Sequence, residues 1–212
     1  MENGHSSSPR RSAGATRSEA SHQAIVAAAR QVLAEKGYAG FSFEAVARLA
    51  GASKPTLYRW WPNKAQLIAE VYEVEATHIA IPAHYPVRER MAMLLNALWT
   101  LWHTTLCGVA FRSFIAESQH DKENMALLRE AFLNRRLALP QEILATAIAQ
   151  GELPPDTDTA LMLKMLFGFC WLHLLTDNLG DTSPIAPFVD YLFGRVPRLA
   201  GGRHDPSFPI RS

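Results

Sequence analysis

The sequence predicts an all-α protein: an N-terminal three-helix unit with a helix-turn-helix, joined to a C-terminal helical bundle. Three observations carry that expectation. Apolar residues recur at spacings of three and four along most of the chain, and no stretch alternates as a strand would. The segment 42–64, SFEAVARLAGASKPTLYRWWPNK, reads as two short helices around a tight turn and the start of another. Charge divides along the chain, with nine Lys/Arg against three Asp/Glu in residues 10–66 and twelve against sixteen in residues 67–212. A basic first third on an acidic body suits a phosphate-binding module attached to a part with another task.

Residues 1–16 are rich in Ser, Gly and Pro, have nothing to bury, and read as a disordered tail. Arg10, Arg11 and Arg17 would make it a basic arm. Thr16 and Glu19 form a capping box for a first helix, whose stripe is Ile25, Ala28, Ala29, Val32 and Leu33 and whose end is Gly37. Tyr38, Phe41 and Phe43 supply aromatic packing against the helix-turn-helix pair.

In that pair, Ser42 is an N-cap, and Val46, Leu49 and Ala50 share one face. Gly51 stops the helix in the left-handed region. Ser53 caps the next helix, with Pro55 in its first turn, where a missing N–H costs nothing. Leu57 points inward, leaving Lys54, Thr56, Tyr58 and Arg59 outward. Pro62 ends this helix, and Asn63 with Gln66 opens a connecting helix over 64–80.

Beyond Pro82 and Pro86 a domain over 81–200 is expected, followed by a flexible tail, 201–212. Val87 to about Thr105 is one helix and Phe111–Glu117 a shorter one. Met125–Gln150 is long, with a kink expected at Pro140. The helix from about Thr157 to Asn178 is apolar on every face and must be buried on more than one side. In the last helix Ile185, Phe188, Val189, Leu192, Phe193 and Val196 form one stripe, which a monomer would leave exposed.

Several function classes are disfavoured. The run Leu161–Leu175 contains Lys164 and His173 and is too short to span a bilayer, and residues 1–16 lack the apolar core of a signal peptide. Cys107 and Cys170 have no metal or CxxC spacing and read as reduced core thiols of a cytoplasmic protein. No GxSxG, HExxH, P-loop or strand-linked GxGxxG occurs, and His103, His120 and His173 have no partners at ligand spacing. No enzyme, catalytic residue, metal or cofactor is therefore expected. A homeodomain fails because Pro62 breaks the long basic helix it needs. An architectural DNA-binding protein without an effector is the remaining alternative.

The run AARQVLAEKG at Ala28–Gly37, then FEAVARLAG and SKPTLYRWWPNK, resembles the DNA-binding domain of the tetracycline-repressor (TetR) family of bacterial transcription regulators. The likeness runs from about Arg17 to Tyr72, over the expected helix-turn-helix domain at 17–63 and the start of the connecting helix, and is specific there: Thr56-Leu57-Tyr58, Trp60 and Lys64 occur together. The C-terminal part is similar in architecture.

The resemblance implies a homodimer that binds a palindromic double-stranded operator, acts as a repressor and is released by a small apolar effector. It places Ser53, Lys54, Pro55 and Thr56 at base edges or the helix start, and Tyr58, Arg59, Trp60, Lys64 and Ser42 at phosphate or sugar. Phe43 and Glu44 stand where many relatives carry a polar or basic base-contacting residue. The effector pocket is expected among Met93, Asn96, Trp99, Trp102, His103, Phe111, Phe114, Phe132, Arg136, Phe167, Cys170 and Trp171, with His103, Asn96 or Arg136 orienting the ligand. Phe169, Leu172, Phe188 and Leu192 are expected at the centre of the dimer interface.

Overall fold

The computed structural model describes residues 13–76, 79–196 and 198. Among these, the secondary structure is helical apart from an isolated antiparallel bridge between Thr157 and Arg198. The chain divides into two compact units, one up to Leu67 and one from Ile68. The boundary falls inside the helix Lys64–Glu75 (α4).

In the first unit α1 spans Ala13–Lys36. It starts earlier than expected, in an Ala-rich stretch of high helix propensity, so residues 13–16 are helix rather than tail and Thr16 is not an N-cap. Arg10, Arg11 and the C-terminal tail lie outside the described residues. The buried face of α1 is Ile25, Val26, Ala28, Ala29, Val32 and Leu33, and α1 packs on α2 (Phe43–Ala50). α2 buries Phe43, Ala45, Val46 and Ala47, whereas Leu49 is 46% exposed. The helix is rotated relative to the expected stripe because Phe43, at its start, enters the core. α3 (Lys54–Trp60) follows after the turn, fixed by the fully buried Leu57.

The second unit is built on α5 (Val87–Thr104), which packs against α6 (Leu106–Ser118), α8 (Asn134–Ala149), α9 (Thr159–Leu175) and α10 (Ile185–Gly194). α6 begins five residues earlier than expected. Thr105 makes this junction: its hydroxyl donates to the Leu101 carbonyl at 2.6 Å and accepts from the Cys107 amide at 3.1 Å. A Cβ at Gly108 would sit 2.1 Å from the Trp102 carbonyl oxygen, so only glycine allows α6 to begin so close to α5.

α7 (Lys122–Ala126) runs into a wider π turn, Leu127–Leu133, and then into α8 without a break. The departure from α geometry thus lies before Pro140, which is accommodated inside α8. The N-terminus of α5 has no capping side chain of its own, since Pro86 stands there. Glu152 supplies it from a distance, accepting from the Val87 amide at 2.6 Å while pairing with buried Arg90 at 3.0 Å.

One expectation about apolar faces is corrected. The stripe of α10 is covered within the protomer, with Ile185, Val189, Leu192 and Phe193 buried and α10 packed on α5. α9 buries Met162, Leu163, Leu166, Cys170 and Leu174 but leaves Leu161 (42%), Leu172 (60%) and Leu175 (51%) exposed. The uncovered apolar face therefore belongs mainly to α9.

Candidate DNA-binding face and effector cavity

The helix-turn-helix is assembled from short-range bonds. Ser42 Oγ accepts from the Ala45 amide at 3.2 Å to start α2, and Gly51, at φ 62°, ends it. Ala52 then donates to the Ala47 carbonyl at 2.9 Å, closing the turn. Ser53 Oγ accepts from the Thr56 amide at 3.3 Å, and Pro55 lies in the first turn of α3. Asn63 Oδ1 accepts from the Gln66 amide at 3.1 Å and opens α4.

These caps set which side chains leave the surface. Ser53, Lys54, Pro55, Tyr58 and Arg59 are exposed, with Trp60 at 37% and Thr56 half-buried. Tyr58 is steadied edge-to-face by Phe43, with ring centres 4.9 Å apart. Phe43 itself is buried, so its ring is a support and not a contact surface, which corrects its place among the expected DNA residues. Trp61 is likewise core and stacks on His22 at 4.9 Å, while His22 meets Trp60 edge-on at 4.8 Å. Lys64 Nζ lies 4.4 Å above the Tyr38 ring, at the N-terminus of α4. Exposed Glu44, on α2, pairs with Lys54, on α3, and that hydrogen bond draws the Glu44 carboxyl below its ordinary pKa. His22 and the Glu44–Lys54 pair went unremarked as supports in the sequence, because each contact joins different helices.

The second unit holds a cavity of about 690 Å³, within the range of ordinary small-molecule sites. Of the expected residues, Trp102, Phe111, Arg136, Phe167 and Cys170 line it. Phe114, Phe132 and Trp171 stand behind the wall, their rings 5.0–5.7 Å from others of one aromatic cluster around Phe111. Trp99 belongs to a different cluster, with Phe169 at 5.4 Å and His173 at 4.5 Å. Met93 is also away from the cavity; Asn96 and His103 are exposed, and Asn96 Nδ2 donates to the Ala92 carbonyl, so neither aims into it. Arg136 alone of the three expected orienting groups lines the space.

Around it stand Tyr72, Glu73 and Arg135, which the sequence did not single out. Trp102 Nε1 donates to the Tyr72 hydroxyl at 3.0 Å, and burial raises the Tyr72 pKa. Burial also pushes the Cys170 thiol up to about 12, so it remains protonated at neutral pH.

Residues 25–71 match the family described as bacterial regulatory proteins, tetR family, and residues 81–190 match the Tetracyclin repressor-like, C-terminal domain. The chain belongs to the TetR family. Its function is that of a helix-turn-helix, DNA-binding transcriptional regulator. Among TetR-type relatives, it is 29% identical over 173 residues to an uncharacterised HTH-type transcriptional regulator, YdeS, of Bacillus subtilis, covering 80% of this chain and 86% of that one. It is 29% identical over 158 residues to the DNA-binding transcriptional repressor TetR of Mycobacteroides abscessus, covering 69% and 77%. Among solved structures, the TetR family regulator SCO0332 superposes with a TM-score of 0.68 at 28% identity, covering 82% of this chain and 97% of that one. No described helix is long and apolar enough to cross a membrane.

Proposed function

We propose that this regulator is a cytoplasmic repressor, not an enzyme, that binds a palindromic operator as a homodimer and is released by a small, largely apolar effector. The observation that carries the reading is the pairing of an exposed polar and aromatic α3 surface with an apolar cavity on the far part of α4. That helix bears Lys64 at its start and Tyr72 and Glu73 on the cavity wall.

On this reading Lys54, Pro55 and Thr56 face base edges, while Ser42, Ser53, Tyr58, Arg59, Trp60 and Lys64 position the unit on phosphate and sugar. Dimerisation uses the α9 face of Leu161, Leu172 and Leu175, flanked by Phe169 and Phe188, whose rings stack 3.9 Å apart, and by exposed Tyr191. Leu192 is buried within its own protomer and plays no direct part. An effector that favours the DNA-incompetent arrangement lowers operator affinity by the factor by which operator lowers effector affinity.

Thermal-shift screening of an apolar library tests the sensor. A compound at one hundred times its dissociation constant stabilises the free protein by roughly 2.7 kcal/mol. Hits are then expected to weaken operator binding. Hits that bind the cavity and leave operator affinity unchanged would leave a DNA-binding protein without an effector switch.

A further inference from the structure

We propose that the cavity receives an apolar molecule ending in a carboxylate, with Arg136 and Arg135 taking the carboxylate. This rests on the reading of the cavity as an effector site and names the chemistry of what enters it. Where α4 meets α8, Glu73 Oε1 lies between two guanidinium groups, 2.6 Å from Arg136 and 3.3 Å from Arg135. Around Glu73 two positive charges thus meet one negative, a local excess of +1; the other carboxylate of the lining, exposed Glu142, stands six residues beyond Arg136 on α8.

The more buried cation, Arg136, is also short of acceptors. Its contact with Glu73 is close but poorly aligned, and two guanidinium nitrogens, Nε and Nη2, are buried without a hydrogen bond. The rings of Tyr72 and Phe132, each 4.8 Å from the guanidinium carbon, hold the group flat without accepting from it in the plane of its N–H bonds. A guanidinium has five donors and nothing else, and leaving donors unpaired away from water is costly. The neighbouring Tyr72 hydroxyl accepts from Trp102 and still carries its own O–H proton to donate. The polar end thus presents donors and one excess positive charge, while Leu94, Leu98, Leu166 and Phe167 line apolar wall elsewhere.

A planar, acceptor-only monoanion satisfies both conditions, because carboxylate oxygens match the guanidinium fork and one negative charge balances the excess. An alkylammonium would meet two guanidinium groups. A neutral hydrocarbon would leave the Arg136 donors as they are.

Calorimetric titration of the full-length protein with decanoate, 1-decanol and decylammonium, each below micelle formation, tests this. Decanoate is expected to bind at least about tenfold more tightly than 1-decanol, with decylammonium weakest. Arg136→Met should weaken decanoate far more than 1-decanol and so abolish the preference. Glu73→Gln keeps Arg136 and removes its competing carboxylate, so it should widen the preference for decanoate over 1-decanol; it also serves if the Arg136 variant fails to fold. Equal binding of decanoate and 1-decanol would overturn the carboxylate assignment and leave the apolar sensor standing. So would an unchanged preference in folded Arg136→Met. Failure of all three probes to bind would overturn the assignment as well, and the library screen then decides the sensor separately.

Discussion

Lys54 and Lys64 carry the same charge in different settings. Lys54 opens α3 and is held by Glu44, whereas Lys64 opens α4 over the face of Tyr38. Lys64→Ala is expected to weaken binding to all duplexes alike and to reduce the salt slope by about one unit, as loss of a phosphate contact does. Lys54→Ala is expected to relax preference at one base position, at roughly 1–3 kcal/mol if that base is guanine. Filter-binding titrations over several salt concentrations, on matched and singly altered duplexes, separate the two. An identical loss on every duplex for both variants would remove Lys54 from the reading residues. The cysteines are a second test at this scale. Both are buried, and burial raises both thiol pKa values, so the folded protein is expected to resist alkylation near neutral pH. For Cys170 the sign with pH is definite. Between the ordinary value of 9.0 and about 12 the folded chain keeps a proton that the unfolded chain loses, so this thiol lowers stability as pH rises through that window. Melting curves of wild type and Cys170→Ala should converge or cross on the alkaline side.

The elements were legible in the sequence where their causes are local. Ser42, Gly51, Ser53 and Asn63 act within a few residues of themselves, and the turn they make is the one their spacing predicts. Gly51→Ala places a side chain at φ 62° and is expected to cost about 1–2 kcal/mol by denaturant unfolding, with no clash to add, since nothing lies within 4 Å of the new Cβ. Gly108→Ala is the contrasting case: its Cβ meets backbone, so the α5–α6 junction must move. A larger loss is expected there, together with weaker binding of any cavity ligand, because Trp102 and Phe111 flank the junction. What stayed hidden depends on contacts distant in sequence. Glu152 caps α5 from 65 residues away, and Glu73 meets Arg136 from another helix. Apolar periodicity shows that α9 is greasy on all sides, but only packing shows which side the protomer covers. Arg90→Ala removes the buried partner of Glu152, whose own side chain is 27% exposed and keeps the Val87 amide, so a loss of about 1–3 kcal/mol is expected by denaturant unfolding.

For the whole molecule the uncovered α9 face is the decisive surface. Leu161, Leu172 and Leu175 recur at helical spacing on one side, and a monomer would leave them in water. Leu172→Arg is expected to shift sedimentation toward the monomer with the helical spectrum retained, and to weaken operator binding. A short helix such as α3 carries few base contacts, and a two-fold pair reads two half-sites. Selection of binding sequences from random duplex DNA by the full-length protein tests this most directly. Enrichment of an inverted repeat is expected, with half-site centres about one helical turn or a multiple apart. Enrichment of single, unrepeated sites, or no enrichment above the starting pool, would contradict a two-fold DNA-reading regulator.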